Sequence, residues 1–125
     1  MKYQQFPHSI SVTIKDRPFE VYWSKAAERA FKQRAHPLLA EMELKFACMV
    51  RMRVHFHDAL EHPKAIDIHE KLRVIYRPVA GQSCSLSESL DKRESGELLD
   101  GPMANRFPKR LGIDFVRGAW VGEYV

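Results

Sequence analysis

A chain of 125 residues with 45% hydrophobic and 29% charged residues has the size and balance of one globular domain, not of a disordered or fibrous protein. The formal net charge of +4 permits an anionic partner without demanding one, and the surplus sits in residues 25–77. Cys48 and Cys84 form no CxxC pair, which argues against a zinc ribbon or a secreted disulfide scaffold and favours a cytoplasmic protein. With no apolar leader and no run of 18 apolar residues, we expect neither a signal peptide nor a membrane partner.

The first predicted element is a β-hairpin over residues 10–23. Apolar and polar residues alternate on both sides of Asp16–Pro18, whose residue types are typical of turns. Pairing Ile14 with Phe19 would place the apolar side chains of both strands on one face.

A helix is predicted directly after this hairpin. Ser24 has the side chain of an N-cap, and the run KAAERAFKQRA that follows is rich in helix-forming residues. Phe31 is the expected anchor of a narrow buried stripe. Pro37 disfavours helical geometry at His36, so the helix should end there or earlier.

Residues 42–57 show the strongest pattern in the sequence, because every even position is apolar and most odd positions are charged or histidine. Period-two alternation predicts a β-strand. One strand of this length would span about 53 Å, whereas a domain of this size has a radius of gyration of about 14 Å. We therefore expect the strand to bend, to carry a bulge, or to project as an arm.

The segment 66–77 alternates in the same way and is predicted to pair with 42–57 as an antiparallel neighbour. The apolar faces of the two strands lie on the same side of the sheet when the numbers of paired residues have an even sum. We favour the register with a sum of 124, although sums of 122 and 126 would also keep the apolar faces together. The favoured register sets Met49 opposite Ile75, His55 opposite His69, and His57 opposite Asp67.

Periodicity fails from Pro78 to Lys109, where we expect an irregular or partly disordered excursion with at most one helical turn around Leu86–Leu90. Residues 110–125 then predict a last hairpin. Its turn is Arg117–Gly118, and its register pairs Val116 with Ala119, and so Phe115 with Trp120 and Leu111 with Tyr124.

These elements predict a single α+β domain over residues 1–125. We expect one antiparallel sheet of five to six strands built from three hairpins, with one main helix on one face. The long irregular segment 78–109 would precede the last hairpin.

The outward side of strands 42–57 and 66–77 is the expected contact surface, and it allows three interpretations. In the first, basic side chains bind an anionic partner such as nucleic acid along a two-stranded ribbon. These candidates, beside Lys45, are Arg51, Arg53, Lys71, Arg73 and Arg77.

In the second interpretation the same surface holds a divalent metal. Residues i and i+2 of a strand share a face, so both imidazoles of the sequence HFH can reach one ion. A cross-strand histidine and a carboxylate would complete a shell of nitrogen and oxygen ligands. The candidate ligands are His55, His57, Asp67 and His69.

In the third interpretation an outward apolar island formed by Ala47, Met49 and Ile75 needs a cover. The segment 78–109, the C-terminal hairpin or a second copy in a homodimer would supply it, and we favour the homodimer. The sequence has none of the motifs GxGxxG, HExxH or GxSxG, nor a Walker loop. We therefore expect a small cytoplasmic non-enzymatic binding or accessory protein without a cofactor. The alternative is a metal-binding protein or metal-dependent enzyme that uses His55, His57 and His69.

Overall fold

The computed structural model describes residues 2–46, 49–58, 61–80, 96–97 and 107–125. Within these ranges the chain is α+β, as predicted: it is mostly strand, with one α-helix, α1 (Lys25–Lys32), and a short 3-10 helix at Lys2–Gln5. The strands are β1 (His8–Ile14), β2 (Arg17–Trp23), β3 (Leu38–Phe46), β4 (Val50–Asp58), β5 (Ile66–His69), β6 (Leu72–Ala80), β7 (Gly96–Glu97), β8 (Arg110–Val116) and β9 (Ala119–Tyr124).

The strands form two mixed sheets. The order in the first sheet is β1-β2-β8-β9, and the order in the second is β4-β3-β6-β5, with β7 paired to the end of β6. Each sheet consists of two antiparallel hairpins whose inner strands, β2 with β8 and β3 with β6, run parallel. The predicted single antiparallel sheet of three hairpins is therefore wrong. The sequence pattern could not predict the two sheets, because parallel pairing joins strands that are distant in the chain and does not change the local alternation of apolar and polar residues.

The hairpin predicted over residues 10–23 is confirmed as β1 and β2, but its turn and register differ. Lys15 and Asp16 form the two-residue turn, with φ angles of 53° and 64° that match a type I′ hairpin. Ile14 therefore pairs with Arg17 instead of Phe19, a shift of two residues that keeps every side chain on its predicted face.

The single long strand predicted over residues 42–57 is wrong, because the chain folds back on itself there. Strands β3 and β4 are antiparallel neighbours whose paired residue numbers sum to 96, as in the pair Leu44 and Met52. Even-numbered residues of β3 thus pair with even-numbered residues of β4, and their side chains lie on the same face. The sequence of this hairpin therefore shows the same alternation of apolar and polar residues as a continuous strand. The 53 Å span is avoided by reversal rather than by a bend.

The segment 66–77 is divided in the same way, into β5 and β6 around a turn at Glu70 and Lys71. Parts of the predicted irregular segment 78–109 are strand: Pro78–Ala80 completes β6, and Gly96–Glu97 is β7. Most of the remainder, with the helical turn predicted around Leu86–Leu90, lies outside the described residues.

The last hairpin is confirmed in turn and register. Arg117 and Gly118 have φ angles of 54° and 78°, and Phe115 pairs with Trp120 as predicted. Leu111 pairs with Tyr124, also as predicted.

Helix α1 begins at the predicted N-cap. The Oγ of Ser24 accepts a hydrogen bond from the backbone N–H of Ala27 at 3.0 Å and donates one to Asp114 Oδ1 at 2.6 Å. The helix ends at Lys32, earlier than His36, and Phe31 anchors it against Trp120 with a ring separation of 4.9 Å.

One hydrophobic core lies between the two sheets and takes buried side chains from both. Its largest fully buried members are Phe19, Phe31, Leu38, Met42, Leu72, Leu111 and Ile113. At one edge, β9 of the first sheet lies over β4 of the second: a Cβ built on Gly122 would come 2.9 Å from Phe56 Cζ. The Tyr124 hydroxyl donates to the carbonyl of Glu43 at 2.6 Å and joins the two sheets there.

Candidate functional site

The face of the second sheet that points away from the core carries the charged and histidine side chains. Strand β3 runs through its middle, between β4 and β6. Odd-numbered residues of β3 and β4 share this face, which places Glu41 and Glu43 next to His55 and His57. We call this surface the outer face of the second sheet.

Glu41 is the most buried charged group on this outer face, with 7% of the residue exposed. Its Oε1 accepts a hydrogen bond from His57 Nε2 at 2.7 Å, and its Oε2 accepts one from Arg77 Nη1 at 2.8 Å. Burial raises the pKa of Glu41, but the hydrogen bonds and positive charge of His57 and Arg77 outweigh burial and hold this pKa below its ordinary value. Glu41 is thus a charged carboxylate that links three strands.

Glu43 forms a second, more exposed pair of the same kind. Its Oε1 accepts a hydrogen bond from His55 Nε2 at 3.1 Å. Each of the two histidines on β4 therefore donates to a carboxylate on β3. These bonds occupy one nitrogen of each ring and fix its orientation.

Three of the basic side chains predicted to bind an anion bond within the chain. Arg77 bonds to Glu41, as described, and Arg73 Nε donates to Asp67 Oδ1 at 2.8 Å. Lys71 Nζ donates to the backbone carbonyl of Arg34. These contacts reduce the positive charge and the number of hydrogen-bond donors that the three side chains have available for a partner.

Arg51 and Arg53, the other two predicted anion-binding residues, are both exposed. They lie on β4, the outermost strand on one side of the second sheet, and their side chains share the outer face. The positive charge available on this face is therefore concentrated at the first half of β4.

The structure does not bring the four predicted metal ligands together. His55 and His57 are on β4 and Asp67 is on β5, with β3 and β6 between them. Three interstrand spacings amount to about 14 Å, so the register that would set His57 opposite Asp67 is wrong. In the described parts of the chain, no group of three or more His, Cys, Asp or Glu side chains is placed to hold a metal ion.

His69 points to the opposite face from the one predicted. The pairing of β5 with β6 changes register between Asp67 and His69, so Ile68 is an extra residue in a β-bulge. The bulge turns the His69 ring into the core, 5.0 Å from the ring of Trp23 and 5.1 Å from that of Phe31. Burial lowers the pKa of His69, although nearby carboxylates oppose this effect.

The predicted apolar island does not form a single patch. Ile75 is 4% exposed and lies beside Glu41 of β3, whereas Met49 is 56% exposed at the start of the β4 hairpin. The register that would set Met49 opposite Ile75 is wrong, since β3 separates β4 from β6. Ala47 lies outside the described residues, as do Cys48 and Cys84.

The first half of β4 is exposed on both faces. On the inner face Val50 is 56% exposed and Met52 is 50% exposed, although their strand continues into the core. Farther along, Val54 and Phe56 lie under β9 and pack against the core. The start of β4 therefore lies beyond the cover that β9 gives to the rest of the strand.

Glu41 and Glu43 are the residues of the outer face that the sequence pattern did not predict beside the histidines. The one-strand interpretation put both carboxylates far from the histidines, because the bonded pairs are 12 and 16 positions apart along an extended chain. A signal was present in the sequence: the acids and the histidines occupy odd positions in two segments whose antiparallel pairing brings them together.

Comparisons with known proteins found no relative. No protein-family model matches the sequence, no curated protein resembles it, and no solved structure matches it. In the part of the chain that the structure describes, no helix is long and apolar enough to cross a membrane. The geometry defines a class: an α+β domain of two mixed sheets with an ion-paired outer face and an exposed strand at one edge.

Proposed function

We propose that this protein is a non-enzymatic binding module that holds an anionic partner at the first half of β4. Arg51 and Arg53 are its cationic contacts. The observation that carries this proposal is the division of the predicted anion-binding side chains: Lys71, Arg73 and Arg77 bond within the chain, whereas Arg51 and Arg53 are exposed on the outer face.

Two exposed guanidinium groups on one strand face suit a partner that presents repeated negative charge. Adjacent residues on the same face of a strand are about 7 Å apart, and each guanidinium can form a bidentate bond to a carboxylate or a phosphate. Phosphates of a nucleic acid and carboxylates of an acidic polypeptide share this chemistry. Such binding depends on salt, because counterions are released when the charges meet.

The test compares three fluorescent probes: duplex DNA, single-stranded RNA and poly-glutamate. Fluorescence anisotropy measures their affinity for the wild type and for the Arg51→Gln/Arg53→Gln variant. The matched control, Arg29→Gln/Arg117→Gln, removes the same charge from exposed positions elsewhere. We expect about a tenfold or greater loss in the first variant and less than about twofold in the control. Equal losses in both variants, or no loss in either, would overturn the proposal.

A homodimer and a cytoplasmic location stay predictions within this proposal. Light scattering across a range of protein concentrations measures the first. Fractionation of cells that produce the protein measures the second.

A further inference from the structure

Residues 49–53 are all exposed, which is unusual for a strand that belongs to a packed sheet. A strand normally buries at least one face. Here the inner face carries Val50 and Met52, each at least half exposed, and the outer face carries Arg51 and Arg53. Neither face of this part of β4 is covered by the residues that the structure describes.

We propose that the edge of Val50–Arg53 receives an extended peptide segment of another protein as an added β-strand, and that this segment alternates acidic with apolar residues. The inference rests on the proposed function, because the acidic residues of the segment are the anion that Arg51 and Arg53 hold. It goes further by naming the partner as a polypeptide and the mode of binding as strand addition.

The backbone of β4 supports strand addition. Among the described strands, β4 pairs with β3 on one side and ends the sheet on the other. An edge strand directs alternate N–H and C=O groups outward, and an added strand satisfies them in the geometry of the sheet. Exposure of residues 50–53 leaves that edge accessible.

The side chains favour a peptide over a nucleic acid. An added strand follows the same period of two, so acidic residues would lie opposite Arg51 and Arg53 while apolar residues lie beside Val50 and Met52. Phosphates would engage only the arginines and leave both apolar side chains in water. Two arginines also fall short of the 6–10 phosphate contacts, roughly, that give tight salt-dependent binding.

The same arginines disfavour a second copy of β4 as the occupant. Two-fold antiparallel pairing centred on residue 51, 52 or 53 sets an arginine of one copy opposite an arginine of the other in each case. Like charges directly opposite each other destabilise a pair of strands. An acidic strand from a different protein reverses this effect.

The probe is a short fluorescein-labelled peptide in which Glu alternates with Val. Three comparison peptides isolate the features of the proposal: one has the same residues in two blocks, one is N-methylated at alternate amides, and one has Lys in place of Glu. We expect the alternating peptide to bind wild-type protein about tenfold or more tightly than each comparison peptide. It should also slow hydrogen exchange at the amides of residues 50–53.

The protein variants connect this test to the proposed function. Arg51→Gln/Arg53→Gln should weaken binding of the alternating peptide, and the Arg29→Gln/Arg117→Gln control should not. Strand addition is overturned if the N-methylated peptide binds as tightly as the alternating peptide, or if DNA binds and the alternating peptide does not. In either case the proposed function still stands if substitution of Arg51 and Arg53 weakens binding of an anionic probe. If no anionic probe responds to these two arginines, both proposals are overturned.

Discussion

Glu41 and His57 form a 2.7 Å hydrogen bond across the outer face of the second sheet, although they are not direct partners in the strand pairing. The direct partner of Glu41 is His55, and that of His57 is Leu39. The bond is therefore diagonal, and it leaves the other carboxylate oxygen of Glu41 to accept from Arg77 on the opposite side. One buried carboxylate thus joins the edge strand β4 to the interior of the sheet.

Replacing this carboxylate should destabilise the fold. Glu41→Gln keeps the volume of the side chain but leaves the cation of Arg77 with a neutral partner, so we expect the free energy of unfolding to fall by about 1–2 kcal/mol. Urea unfolding measures the change. Glu123→Gln, at an exposed position, is the matched control and should change stability by less than about 0.5 kcal/mol. Equal effects of the two substitutions would contradict a structural role for Glu41.

His69 should make stability depend on pH. Its folded-state pKa is lowered below the ordinary value of 6.5, chiefly by burial, so near that pH the unfolded chain binds more protons than the folded one. The free energy of unfolding should therefore decrease as the pH falls below about 6.5. His69→Gln should remove this part of the dependence.

The measurement is a series of urea unfolding curves between about pH 5 and pH 8. The difference in free energy of unfolding between wild type and His69→Gln should vary with pH across this range. A substitution of an exposed histidine, His36→Gln, is measured alongside as the control. A constant difference for His69→Gln would show that His69 has the same pKa in both states.

Gly112 should tolerate no side chain while Tyr3 is in place. A Cβ at Gly112 would lie 2.2 Å from both Cβ and Cγ of Tyr3, so the 3-10 helix that carries Tyr3 would have to move. We expect Gly112→Ala to lower the free energy of unfolding by about 1–3 kcal/mol. In a Tyr3→Gly background, which removes both of these atoms, most of that loss should disappear.

A double-mutant cycle measures this coupling. Gly118→Ala is the control: its φ of +78° disfavours alanine, but a Cβ there meets no atom within 4 Å, so its effect should be the same in both backgrounds. Additive effects of Tyr3→Gly and Gly112→Ala would contradict the clash.

The pairing of β3 with β4 can be tested with an engineered disulfide. Glu43 and Arg53 are directly opposite, and opposite Cα atoms in an antiparallel pair are about 4.5–5.5 Å apart, within the range that a disulfide spans. In a background with Cys48→Ser and Cys84→Ser, Glu43→Cys/Arg53→Cys should oxidise readily. Loss of free thiols measures the reaction.

The matched control is Glu43→Cys/His57→Cys, which places the second thiol four residues farther along the same face of β4. That pair should remain reduced. A single continuous strand would separate residues 43 and 53 by about 33 Å, so failure of the Glu43 and Arg53 pair to cross-link would support that strand instead of the hairpin.

The parts of the fold that could be predicted from the sequence are those that depend on local residue types. The turn at Arg117–Gly118 was predictable because glycine marks it, and its register followed. The reversal between Phe46 and Val50 was not predictable, since the intervening sequence ACM contains no typical turn residue. An even register sum also preserves the alternation of a continuous strand. The parallel pairs of β2 with β8 and β3 with β6 had no local signal at all.

The candidate site was predictable to a similar degree. Period two correctly placed Arg51, Arg53 and the two histidines of β4 on one face. It could not show that Glu41 and Glu43 would lie beside those histidines, because that depends on the unrecognised hairpin. It also placed His69 on the wrong face, because a bulge at Ile68 adds one residue to β5 just before His69.

The hydrogen bond between Ser24 and Asp114 joins residues 90 positions apart, and β2 pairs with β8 over the same distance along the chain. During synthesis at about 5–20 residues per second, the first hairpin leaves the ribosome about 5–18 s before its parallel neighbour. Throughout that interval β2 has an open inner edge, which is a site for wrong pairing with other nascent chains. Efficient production in cells should therefore depend on chaperones that shield this edge until residues 110–124 arrive.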